Sequence, residues 1–159
     1  MTLLNAPEFD VKKETRQRNV LIAAGVLVVA IALTGVGGFL LGHGWFFTNL
    51  PAEHKVNVFL STLQSGDYAT AYGIFYNDPN WQQHPDKYKD YPLQRFTEDF
   101  TTESDWKGPV TSFHMGCSKR GNGGTAVEAT VNGATSLTLE YQRSDGTLAF
   151  YPLQLSCGL

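Results

Sequence analysis

The run from Val20 to Leu41, VLIAAGVLVVAIALTGVGGFLL, limits what this chain can fold into more than any other part of it. It carries no charged residue, and the charge-free zone around it extends from Asn19 to Ala52. A helix needs about 20 residues to cross the hydrocarbon of a bilayer, and this run supplies them. A soluble helix packed on one side keeps a polar face, whereas this one is apolar all round. Trp45, Phe46 and Phe47 come next, the side-chain types that favour the membrane interface. A cleaved signal peptide fits less well, because the apolar run exceeds the usual length of about 7–15 residues.

Lys12, Lys13, Arg16 and Arg18 stand just before the run, and only Lys55 stands soon after it. The positive-inside rule then puts residues 1–19 in the cytoplasm as a tail and 20–42 across the membrane. Residues 43–50 form an interfacial linker, and 51–159 form one extracytoplasmic domain. In a bacterium this means a single-pass protein of the inner membrane, with its domain in the periplasm or outside the cell. Along the membrane helix, Ala30, Thr34, Gly38 and Gly42 repeat every four residues. Such a stripe lets another helix approach closely, either a second copy or a different protein.

After the membrane run the pattern is that of a small α+β domain. Pro51 opens a helix, and Val56, Phe59, Leu60 and Leu63 give it one apolar face. Ser65-Gly66 stops it and Asp67 caps a second helix with Ala71, Tyr72 and Phe75 on its inner side. Asn77-Asp78-Pro79-Asn80 breaks the chain, and Trp81 to Tyr91 reads as an ordered loop. A third helix is expected from Pro92 to about Glu103, with Leu93, Phe96 and Phe100 aligned. The period then changes to two. Thr111, Phe113, Met115 and Cys117 alternate first, then Val127, Ala129 and Val131, then Leu137, Leu139 and Tyr141. Leu148, Phe150, Leu153 and Leu155 form a last strand. Asn132-Gly133 and Asp145-Gly146 are hairpin turns, and links this short make the sheet of about four strands antiparallel.

The segment Phe59-Leu60-Ser-Thr-Leu63-Gln-Ser-Gly66-Asp67-Tyr68-Ala-Thr-Ala71-Tyr72, with the later Asp-Gly-Thr turn, resembles the NTF2-like superfamily. The resemblance covers residues 52–159. It implies a cone of three helices on a curved sheet, with a pocket between them. It implies that His114, Tyr72, Tyr76 and Tyr141 are the groups available to such a pocket. The superfamily holds enzymes, ligand binders and interaction modules, so the likeness selects none of them.

Chemistry is hard to find in the rest. Walker, HExxH, CxxC and GxSxG motifs are missing from the sequence, and no nucleophile–base pair can be argued from spacing. His43, His54, His84 and His114 show no ligand spacing, so neither metal nor cofactor is expected. A net charge of −3 excludes a nucleic-acid footprint. The stretch from Tyr72 to Tyr91, including Tyr76 and Trp81, is rich in rings and interleaved polar groups. It suits either a protein interface or the cover of a small core. Cys117 and Cys157 are the only cysteines; an oxidising compartment permits a bridge between them, and two buried thiols are the alternative.

The expectation is a non-catalytic single-pass protein that contacts the bilayer and an integral membrane complex, as an accessory or assembly subunit. A respiratory or photosynthetic complex is one host, and homodimerisation is a further option. The alternative is a small-molecule-binding or enzymatic domain that uses the cone pocket.

Overall fold

The computed structural model describes residues 11–133 and 135–155. It opens with a helix of 30 residues, α1 (Val11–Leu40), long and apolar enough to span a membrane. The helix begins earlier than the apolar run because the basic segment before it is also made of good helix formers. Glu14 and Arg18 there stand one turn apart in the favourable order. Its apolar side chains face outward; Leu33, near the middle of the apolar run, is 67% exposed. The helix ends two residues short of the expected boundary. Gly42 has φ 76°, and the amides of Gly42 and His43 donate back to the carbonyls of Phe39 and Gly38 at 3.2 and 3.0 Å. That double bond pattern around a left-handed glycine is a Schellman stop, so Gly42 lies past the helix and not on its packing stripe.

Three helices follow: α2 (Leu50–Gln64), α3 (Tyr68–Phe75) and α4 (Leu93–Asp99). Pro51 sits in the first turn of α2, and Val56, Phe59, Leu60 and Leu63 are all buried. Asp67 caps α3 by accepting from the Thr70 amide at 3.0 Å. Between α3 and α4 the chain makes two 3-10 turns, Trp81–Gln83 and Pro85–Tyr88. Helix α4 stops at Asp99, shorter than the expected span to Glu103, because Thr101 turns back in a tighter bond to Glu98. Phe96 and Phe100 are nevertheless both buried.

The sheet is an antiparallel meander of β1 (Phe113–Arg120), β2 (Gly124–Val131), β3 (Thr135–Gln142) and β4 (Leu148–Phe150). Asn132 and Gly133 both have positive φ and turn the chain within a three-residue connection, positions 132–134, since Val131 stands opposite Thr135. One face of the sheet carries Val127, Ala129, Val131, Leu137 and Leu139 into the core under the helices. The fold is therefore α+β, with a long helix ahead of helices packed on an open four-strand sheet.

Two strand expectations change. The register of β1 shifts between Met115 and Ser118, so Gly116 and Cys117 together oppose Glu128. This bulge breaks the alternation at Cys117 and turns Ser118, paired with Val127, to the helix side. The last strand ends at Phe150 and does not reach Leu153 or Leu155. The last bond of this pairing runs from the Tyr151 amide to the Thr138 carbonyl at 3.0 Å, in register with Leu139 opposite Phe150, and the pairing stops there at Pro152. The chain then leaves the edge; Leu155 lines a small cleft with Lys119 and Arg120 of β1, so residues 151–155 cross the sheet from its last strand toward its first.

Candidate functional site at the helix–sheet junction

A hydrogen-bonded polar arrangement joins α1 to the α+β region. Beyond Gly42 the backbone reverses on itself. Gly44, Phe46 and Phe47 all have positive φ, and Trp45–Phe47 forms a 3-10 turn laid back along α1. The reversal needs small residues on the helix. A Cβ on Gly38 would stand 2.7 Å from the Gly44 carbonyl oxygen, and one on Gly35 would stand 3.1 Å from the Phe46 ring. Phe47 stacks on His43 at 6.1 Å, whereas Trp45 and Phe46 keep about half of their surface open.

The reversal delivers the Gly42 carbonyl to the bulge of β1. It accepts from the Ser118 amide at 3.2 Å and stands 3.0 Å from the Ser118 hydroxyl. The same hydroxyl contacts one oxygen of Glu53, on the first turn of α2. The other Glu53 oxygen lies 2.7 Å from Nδ1 of His43. Asn49, buried ahead of α2, donates from Nδ2 to the Ser118 carbonyl at 3.2 Å, and its amide donates to the His43 carbonyl at 3.1 Å. Five residues from the helix stop, the linker, α2 and β1 thus share one hydrogen-bonded cluster. A serine hydroxyl has one proton, and here it meets two acceptors, so the cluster couples the positions of Gly42 and Glu53. It is not a nucleophile–histidine array, because Glu53 stands between Ser118 and His43.

The sequence-derived candidates fall in several places. Gly38 and Gly42 serve the junction within the chain itself. Ala30 and Thr34 remain exposed on α1, with the Thr34 hydroxyl bonded back to the Ala30 carbonyl at 2.8 Å. Tyr72 is fully buried and donates to the Tyr91 carbonyl at 2.6 Å. Burial, then the neighbouring Tyr76 and Tyr88 hydroxyls, pushes its pKa up to about 12. Tyr76 is half-buried against Tyr72 and Tyr88, at ring distances of 4.9 and 4.6 Å. Trp81 donates to the Ala69 carbonyl at 3.1 Å, and Tyr88 donates to Asp78 at 2.6 Å. The aromatic stretch therefore packs onto the end of the core. Tyr141 lies on the core face of β3, while His114 is exposed on the opposite face of the sheet from Phe113 and Met115. These tyrosines and His114 do not converge.

The space between sheet and helices is occupied. Phe59 contacts Phe75, Phe96 and Phe100 at 5.9, 6.1 and 5.3 Å, mostly tilted or edge-on, the arrangement ring quadrupoles favour. Among the described residues no cluster of His, Cys, Asp and Glu could hold a metal ion. Cys117 is disulfide-bonded. Cys157, the chain's one other cysteine, lies outside the described residues.

Asn49, Glu53 and Ser118 escape sequence reading. Asn49 ahead of Pro51 has the look of an ordinary cap, Glu53 of a first-turn acid, and Ser118 depends on a bulge with no local signal beyond Gly116. No family model, curated protein or solved structure matches this chain.

Proposed function

We propose that the chain is a single-pass membrane protein with α1 across the bilayer and its N-terminus in the cytoplasm. Its α+β region stands on the outer surface as an accessory or assembly subunit of an integral membrane complex. The cluster of Gly42, His43, Asn49, Glu53 and Ser118 carries this reading. A domain that only needs to stay near a membrane can hang on a flexible tether. One that presents a surface to a membrane partner gains from a mount of fixed height and angle, since less freedom is lost on binding. The basic residues before α1 support the orientation. Trp45 and Phe46, half-exposed at the helix end, suit the headgroup zone. Helices on one face of a four-strand meander support an NTF2-like cone as the reading of the fold. A ligand inside that cone has the weaker support, because Phe59, Phe75, Phe96 and Phe100 fill it.

On this reading the lateral helix contact falls at Ala30 and Thr34, the exposed half of the small-residue stripe. The test is purification of the tagged protein from its own membranes in mild detergent, with mass spectrometry of what accompanies it. Stoichiometric recovery of one membrane complex, lost in an Ala30→Leu/Thr34→Leu variant, is expected. Recovery of the protein alone would overturn the proposal.

A further inference from the structure

A groove of about 580 Å³ lies along α2 and α3, lined by residues of both helices and of the segment that follows α3. That volume lies within the range of small-molecule sites, about 300–1,000 Å³. Its apolar lining includes Val58, Ile74 and Trp81, and Gly73 forms part of it. Gly73 has no room to be anything larger: a Cβ there would stand 3.1 Å from the Asp78 carbonyl and 3.3 Å from the Trp81 ring. The indole is held in place by its bond to the Ala69 carbonyl, so this wall is preformed. The charged and titratable lining is one-sided. His54 and Lys55 border the groove, and no acidic side chain lines it, although the chain as a whole is acidic.

Lys55 is the decisive residue. Its ammonium donates to the Asn77 side-chain oxygen at 2.6 Å, a neutral partner, and no carboxylate lies within ion-pairing distance among the described residues. Burial holds its pKa below the ordinary lysine value, and the more distant Asp145 only partly offsets this. A partly desolvated cation beside an apolar wall gains from an anion that brings its own apolar body.

We propose that this groove binds a small apolar carboxylate, its ring or chain against Trp81 and Ile74 and its carboxylate on Lys55. The site is independent of the accessory-subunit reading, and either can fail alone.

The test uses the full chain in zwitterionic lipid nanodiscs with ¹⁵N-labelled tryptophan. Of the chain's three tryptophans only Trp81 lines the groove, so Trp45 and Trp106 report any unspecific change. Phenylacetate is titrated to about 10 mM, the range in which a ligand of this size would bind. The Trp81 indole signal should shift saturably while that of Trp106 stays still. Neutral phenylacetamide should bind at least about tenfold more weakly, as should the Lys55→Gln variant, with Lys55→Arg restoring the carboxylate preference. Val58→Trp, which fills the groove from its exposed rim, should abolish the shift. An unmoved Trp81 signal would overturn the proposal, and so would equal binding of the amide and the acid.

Discussion

Helix α1 and the core of the α+β region are built from the same kinds of apolar side chain, with opposite outcomes. In the core, Phe59, Phe96, Phe100 and Leu139 are wholly buried against one another. In α1, Leu21, Leu27, Leu33 and Phe39 keep most of their surface uncovered. Apolar side chains left open in water would cost the free energy that burial recovers elsewhere, roughly 25 cal/mol per Å². The core satisfies its apolar groups within the chain; on the proposed membrane placement, lipid would cover those of α1. The junction is where the two regimes meet, and it is accordingly polar and hydrogen-bonded.

The largest effect should come from removing a core ring. Phe96→Ala empties a site bordered by Phe59, Tyr72 and Phe100 and should destabilise the α+β region by about 3–5 kcal/mol. Leu33→Ala in α1 removes a comparable side chain, yet should change the unfolding free energy of the same region, read by denaturant titration, by less than about 0.5 kcal/mol. Equal losses would erase the contrast between the regions.

A charge should reverse the ranking. Val29→Asp, at the middle of the apolar run, should cost about 2.5–3.5 kcal/mol in membrane insertion, read as the fraction of protein that resists carbonate extraction. The folded α+β region should be untouched by it. Membrane retention equal to that of the unaltered chain would argue against α1 as a span.

At the junction, Glu53→Ala leaves the Ser118 hydroxyl only the Gly42 carbonyl and removes the partner of the His43 ring, uncoupling α2 from the cluster, and should cost about 1–3 kcal/mol in thermal or denaturant unfolding. The smallest effect belongs to Asp67. Its carboxyl is held below the usual 3.8 by the Thr70 hydroxyl and amide bonds that cap α3. A depressed folded pKa means that its stabilisation is present above about pH 4 and is lost as the pH falls through the lowered value. Asp67→Asn keeps a capping side chain, so its Tm at neutral pH should change little while this part of the acid dependence disappears.

How much of this was legible depended on how local each signal was. Pro51, Asp67, Gly66 and Asn132-Gly133 act within a turn of their own position, and the elements they bound lie where their chemistry places them. The apolar face of α2 was readable for the same reason, since its period is set by one helix. The bulge at Gly116-Cys117 was not, because it is defined by what Glu128 does on the neighbouring strand. The end of β4 was misjudged at Leu153 and Leu155, whose alternation continues although Pro152 ends the pairing. Gly38 and Gly42 resembled an intermolecular stripe. Their intramolecular use depends on the chain folding back at Gly44, which helical spacing does not encode.

The central claim is that α1 and the α+β region form one unit, joined by the cluster around Ser118 and Glu53. The most direct test is a distance distribution by pulsed electron–electron resonance on the full chain in nanodiscs. Spin labels at Leu33 and Thr102, both exposed, would be carried by noncanonical residues so that Cys117 is left alone. The account predicts a single narrow distribution that broadens in Glu53→Ala. A broad distribution in the unaltered chain, unchanged by that substitution, would mean that the region swings on a tether, and would contradict it.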